Sequence, residues 1–122
     1  MDWRTIEMLG YTHYAHKGYR ILVPIADGRD YDFVAEKDGT FLRVNVKMAG
    51  IKDRARSNSW SIALSSGSGS RVHLGTEVDV YLAYVVPMKK FIELPGTFFV
   101  GSKSKSRCIP VKLLALPTTD MV

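Results

Sequence analysis

The tetrapeptide Lys37-Asp38-Gly39-Thr40 constrains this chain more than any other feature of its sequence. Asp-Gly suits the two-residue turn of a tight hairpin, because aspartate tolerates and glycine welcomes the positive φ that such a turn demands. Downstream, "TFLRVNVKMA" (40–49) alternates Phe41, Arg43, Asn45 and Lys47 with Leu42, Val44, Val46 and Met48. That is the period of a strand. Upstream, "YDFVAEK" (31–37) is a short apolar run of strand length. The two segments are predicted to pair as antiparallel strands closed at Asp38-Gly39.

The flanking sequence extends this hairpin. "YRILVPI" (19–25) is a further apolar run joined to the hairpin through the looser turn "ADGRD", which completes a three-stranded meander. Before it, residues 2–17 carry Trp3, Ile6, Leu9 and Gly10 at roughly helical spacing, with Asp2 as N-cap and Gly18 as the stop. After Gly50, "IKDRARSN" reads as a basic loop, "SWSIALSS" as a strand and "GSGS" (67–70) as a flexible turn too short to link domains. "VDVYLAYVVP" (78–87) and "KKFIEL" (89–94) read as a strand pair, and "TFFV" as one more short strand before the polar tract "GSKSKSR". "IPVKLLALP" fits a last strand or a short helix equally. No internal repeat is visible. The expected fold class is α/β, an N-terminal helix followed by a three-stranded meander in a mixed sheet, with a strand-rich C-terminal half.

At 122 residues the chain is long enough for one compact domain, 1–122, and short for two. Seventeen Lys and Arg against twelve Asp and Glu leave a charge of +5, which favours polyanionic partners through phosphate contact and counterion release. The lone Cys108 excludes an internal disulfide framework and a multi-cysteine zinc site. The start "MDWRTIEMLG" lacks the basic and apolar blocks of a secretory leader, and no uncharged run approaches membrane-spanning length. A cytoplasmic protein without membrane contact is expected.

The hairpin also carries the candidate chemistry. Period-two alternation puts Asn45 and Lys47 on one strand face, roughly 6.5–7 Å apart, and the tight turn returns Asp32 beside them. A carboxylate and an amide oxygen suit a hard ion such as Mg²⁺. The ammonium has a separate task, to orient or deprotonate an attacking water or to neutralise charge on a phosphoryl oxygen. The same trio also fits the solvated face of a half-exposed hairpin, and spacing alone leaves both readings open.

Taken in order, a helix with a glutamate, "GYRILVP", and "YDFVAEKDGTFLRVNVK" resemble the PD-(D/E)XK nuclease superfamily, in its small phage, intron-encoded homing and archaeal-resolvase-like branch. The resemblance covers about the first 50 residues. It implies a restriction-endonuclease-like core and Mg²⁺-dependent hydrolysis of DNA, with Mn²⁺ able to substitute. By the same resemblance the activity is of homing or junction-resolving type, and the protein is a homodimer or homotetramer, one that a phage can encode for use in a host cytoplasm. Asp32 would be the metal-binding aspartate, Lys47 the motif lysine and Glu7 the acidic residue of the first helix directed at the metal. Asn45 departs from the pattern, since an acidic residue or a glutamine is usual there. The alternative it raises is a catalytically weakened or inactive DNA-binding module.

Other residues have plainer readings. Glu7, Tyr11 and Tyr14 share a helical face. Asp27 and Asp30 are turn aspartates, with Asp30 an outside candidate ligand. His13, His16 and His73 read as surface or dipole-complementing histidines rather than ligands. Lys52, Arg54 and Arg56, just past the site strand, and Lys103, Lys105 and Arg107, among serines, are the candidate DNA-phosphate contacts. Trp60, Phe98 and Phe99 are expected in the core. A chain with no nucleic-acid role would instead scatter its basic loops over different faces.

Overall fold

The computed structural model describes residues 2–26, 30–50, 59–63, 77–100 and 106–110; for 59–63 and 106–110 it describes the backbone, together with the burial of Ile109. Among the described residues the elements are α1 (Trp3–His16), β1 (Arg20–Leu22), β2 (Phe33–Lys37), β3 (Thr40–Ala49), β4 (Ser59–Ala63), β5 (Val80–Val85), β6 (Lys90–Pro95) and β7 (Ser106–Pro110), with a 3₁₀ turn at Val86–Met88. Five strands form a mixed sheet in the order β1-β2-β3-β5-β6, and β4 pairs with β7 apart from it. The α/β class, the leading helix and the meander all agree with the sequence. Among the described residues no helix is long and apolar enough to cross a membrane.

Local chemistry sets the ends of these elements. Asp2 caps α1 by accepting from the Thr5 amide at 2.8 Å. The other end closes on Gly18, at φ 92°, with the Gly18 amide donating to Ala15 and the Tyr19 amide to Tyr14. Only a residue without a Cβ adopts that backbone cheaply. The hairpin turn has Asp38 at φ 51° and Gly39 at φ 82°, the mirror-image turn whose twist matches paired strands. Glu36 braces it, accepting from the Gly39 amide at 3.0 Å and from Arg20 at 2.6 Å.

The central sheet separates two apolar layers. Ile6 and Tyr14 of α1 pack with Phe33, Ala35, Val44, Val46, Leu82, Tyr84 and Phe91 on one face. Gly10 allows close approach there: a Cβ would stand 3.3 Å from Val46 Cγ2 and 3.5 Å from Phe33 Cε1. On the other face Ala49, Tyr81, Ala83, Val85, Ile92 and Leu94 pack with Phe98, Phe99 and Ile109 of β7. Strand β3 feeds both layers, because successive side chains point to opposite faces. Its parallel pairing with β5, Val44↔Val80 through Ala49↔Val85, starts at a clamp in which Asp79 accepts from the Arg43 amide at 2.8 Å and from Arg43 Nε at 3.0 Å.

Among the differences from the sequence reading, which include a strand at Val80–Val85 where 78–87 was expected, three have an identifiable cause. The first strand was expected over 19–25 and is formed by Arg20–Leu22 alone; Pro24, which lacks an N–H, follows closely. The second starts at Phe33 rather than Tyr31, for a reason that belongs to the site. "TFFV" is a turn and not a strand: the Phe98 amide donates to Pro95 and the Val100 amide to Thr97. Phe98 and Phe99 are buried as expected, but from a turn, and an apolar run of four residues has no period that separates these outcomes. Residues 109–110 close β7, so the start of "IPVKLLALP" is strand; the remainder lies outside the described residues, as do the 64–66 end of "SWSIALSS" and the "GSGS" turn.

Gly96 supplies a test of this arrangement. A Cβ there would lie 1.9 Å from the Val78 carbonyl oxygen, a backbone atom that cannot swing aside. Gly96→Ala should lower unfolding stability by at least about 2 kcal/mol, read as a lower urea midpoint at unchanged m value. A wild-type midpoint would show that the β6 end is placed differently.

Candidate active site

The β2–β3 ladder stops where the candidate residues begin. The Asp32 amide still donates to the Val44 carbonyl at 2.8 Å. The next β3 donor, the Val46 amide, is bonded to Asp32 Oδ2 at 2.6 Å. A side-chain carboxylate thus occupies the position of a strand carbonyl, and the chain preceding Asp32 leaves the sheet. This is why β2 is shorter than its apolar sequence.

Asn45 fills the gap on the β3 side. It follows Val44, the last β3 residue paired with β2. Its Nδ2 donates to the Asp30 carbonyl at 2.7 Å, which fixes the amide orientation because a carbonyl only accepts. Among the described residues Asn45 Oδ1 is then left buried without a hydrogen-bond partner. A buried acceptor of that kind is costly unless something binds it.

Lys47 lies two residues along the same face. It is 4 % exposed, as is Asn45, so for these two the solvated-face reading does not hold. They occupy one row with Ala49, and their β5 neighbours are Tyr81 and Ala83. Lys47 Nζ stands 5.9 Å from the centre of the Tyr81 ring, within cation–π range. Burial brings the ammonium down to about 8, against the opposing pull of Asp32. Burial also pushes Asp32 up to about 6, offset by the Val46 amide, reinforced by the Glu7 charge and opposed by Lys47. Desolvation outweighs mutual attraction in both members of the pair.

Glu7 approaches from α1. It is half-buried, and Tyr11, one turn on, donates to its Oε1 at 3.0 Å. The Tyr11 ring stands edge-on to Phe33, the residue after Asp32, with centres 5.0 Å apart. Its hydroxyl is pushed up to about 12 by burial first, then by Glu7 and Asp32. Glu7, Asp32, Asn45 and Lys47 are therefore brought to one end of the β2–β3 pair. Sequence reasoning passed over Tyr81 and gave Tyr11 no role. Tyr11 was legible as an i, i+4 partner of Glu7, whereas Tyr81 arrives through a long crossover that leaves no local signal.

Lys52, Arg54, Arg56, Lys103 and Lys105, with Asp27 and His73, lie outside the described residues. Arg107 is paired with Ile62 in the β4–β7 ladder, and its side chain lies outside the description, like those of Trp60 and Cys108. Asp30 contributes its carbonyl to Asn45. His16 is exposed, but His13 is not the surface residue expected: it is 1 % exposed, between the rings of Tyr14 and Phe91 and 3.9 Å from Glu93. Core packing at that helical position overrides its polarity.

The donors at the site are oxygens, with one amide oxygen left unpaired among the described residues beside one half-buried carboxylate. That set fits a hard divalent ion. Among the described residues no three His, Cys, Asp or Glu side chains gather into a metal-binding group.

With this geometry in hand, the chain can be compared with known proteins. It is similar in structure to a bacterial homing endonuclease, I-Ssp6803I, with a TM-score of 0.67 at 20 % sequence identity, over 88 % of this chain and 71 % of that one. At that identity the likeness speaks for the fold. No curated protein sequence matches the chain. The model of the PD-(D/E)XK endonuclease family matches residues 6–113. Because that match runs from the first helix to beyond the last described strand, the protein belongs to the PD-(D/E)XK endonuclease family.

Proposed function

We propose that the protein is an endodeoxyribonuclease that hydrolyses DNA phosphodiesters with Mg²⁺, or Mn²⁺ in its place. The observation that carries this reading is the orphaned Asn45 Oδ1, buried beside Asp32 and two residues from a lysine with a lowered pKa. Asp32 and Asn45, with Glu7, would hold the ion, which supplies Lewis-acid stabilisation of the phosphoryl oxygens. The chain's own residues do the rest. Asn45 is held by the Asp30 carbonyl, so that its oxygen and not its nitrogen would be the atom offered to the ion. Lys47, with a large neutral fraction near pH 8, takes the proton from the attacking water and, once charged, lies beside the phosphate being cleaved.

Lys52, Arg54 and Arg56, a few residues past β3, and Lys103, Lys105 and Arg107 are the proposed phosphate contacts. Binding through them weakens steeply with salt. One 122-residue chain covers little duplex, and cutting both strands needs two centres, so a homodimer or homotetramer is proposed. The homing assignment is supported by the likeness to a homing endonuclease, and the homing or junction-resolving type by the branch resemblance. The second reading, a DNA-binding module without catalysis, is favoured by the neutral residue at position 45. Supercoiled, linear and branched DNA incubated with and without Mg²⁺ or Mn²⁺ separates the two.

Asp32→Asn should bind DNA but not cut it. It should also stabilise the metal-free protein at neutral pH. The folded pKa of Asp32, about 6, lies above the ordinary 3.8, so the fold binds this proton more tightly than the unfolded chain does. The native protein therefore loses stability as pH rises from about 4 to about 6, and the variant should gain on the order of 2–3 kcal/mol at pH 7 and nothing at pH 4. Denaturation in chelator at the two pH values reads this directly; equal gains would remove Asp32 as the cause.

Lys47 predicts a pH profile. For the wild type, log(kcat/KM) should rise with pH and level near 8, since this ratio reports free-enzyme groups. Lys47→Ala should lose that limb and about 10²–10⁴-fold in rate, with a much smaller change in DNA affinity. Equal losses in rate and binding would reduce Lys47 to a phosphate contact.

Asn45→Asp separates charge from hydrogen bonding. A carboxylate cannot donate to the Asp30 carbonyl, so the metal-free variant should lose about 1–3 kcal/mol. The added charge should make its melting temperature rise more steeply with Mg²⁺ than that of the wild type. Parallel metal responses would mean that position 45 does not reach the ion.

A further inference from the structure

We propose that Tyr11 is a positioning residue for the metal centre: its hydroxyl holds one oxygen of the Glu7 carboxylate, leaving the other to turn toward the ion. This rests on the proposed metal-dependent reading of the same site, and it concerns a side chain that touches neither metal nor DNA in that reading.

Three contacts make the arrangement more than a helix-surface pair. The Tyr11 hydroxyl donates to Glu7 Oε1 at 3.0 Å. The Tyr11 ring is fixed edge-on against Phe33, at 5.0 Å and 88°. Phe33 is fully buried, locked by its register with Val44, and adjoins Asp32. Tyr11 is thus referenced to the strand that carries Asp32, and it transmits that position to Glu7. A glutamate on an exposed helix face would otherwise sample many rotamers, each of which must be given up when it meets an ion. The donated hydrogen also offsets part of the Glu7 charge, which acts on Asp32. That lessens the repulsion of two carboxylates that must face one ion. A phenylalanine would keep the ring contact and lose both effects.

The test is a double-mutant cycle on the full chain, with Mn²⁺ alone as the probe and free Mn²⁺ counted by electron paramagnetic resonance. Tyr11→Phe should weaken Mn²⁺ binding by roughly three- to tenfold, the worth of one partly buried hydrogen bond. Glu7→Gln should weaken it further, and adding Tyr11→Phe to Glu7→Gln should change nothing more. The metal concentration giving half-maximal cleavage should rise in Tyr11→Phe by the same factor, while its affinity for DNA in chelator stays with the wild type. Wild-type Mn²⁺ affinity in Tyr11→Phe, or an equal loss with and without Glu7, would overturn the proposal. If the wild type itself binds no Mn²⁺, the metal reading fails, and the proposal with it, a result distinct from either.

Discussion

The hydrogen bond from the Val46 amide to Asp32 Oδ2 is the contact on which the rest of the site depends. An antiparallel ladder continues for as long as each strand presents carbonyls to the other's amides. By placing a carboxylate where a carbonyl should be, Asp32 satisfies the β3 donor and lets its own backbone depart. The space this opens is filled by Asn45, which is bonded to the departing chain at Asp30. Without that exchange β2 would run on to Tyr31, and Asp32 and Asn45 would be ordinary members of one sheet row.

The same exchange explains the electrostatics. Asn45 and Lys47 sit in the row that continues into Ala49, on a face otherwise given to Tyr81, Ala83, Phe98 and Phe99. They are polar groups at core positions, and desolvation moves Asp32 up and Lys47 down despite their attraction. Each group thereby approaches the pH range in which its proton can move. The fold loses stability in holding them charged.

Placement of Glu7 depends on a contact at the other end of the helix. Tyr14 and Lys17 both bond Glu93 of β6, and His13 lies 3.9 Å from it. His13, Tyr14 and Lys17 together draw the Glu93 carboxylate down to about 2. Gly10 lets the middle of the helix settle onto Val46, Leu82 and Phe33. With its C-terminal end tied to β6 and its centre seated on the sheet, α1 carries Glu7 to the Asp32 end of β2–β3. A glutamate on a helix anchored less firmly would have no fixed relation to the strand site.

The sequence by itself determined what is local. Asp38-Gly39 set the hairpin, Asp2 and Gly18 bounded the helix, and the alternation from Thr40 to Ala49 placed Asn45 and Lys47 on one face, because turns, caps and pleats are decided by neighbours in the chain. The order of Glu7, Asp32 and Lys47 was legible as a family resemblance for the same reason. Tertiary structure decided the rest. Alternation could not say that the Asn45–Lys47 face is buried, since that requires β5 to lie alongside β3 in parallel and distant residues such as Phe98 and Phe99 to pack with Ala49 and Tyr81 on that face. Nor could it say that β2 ends at Phe33, because the Val46 amide that captures Asp32 lies 14 residues away. His13 illustrates the same limit: it is polar in composition but buried by Tyr14 and Phe91. Burial and pKa belong to the assembled surroundings of a side chain, and those exist only once distant segments have packed.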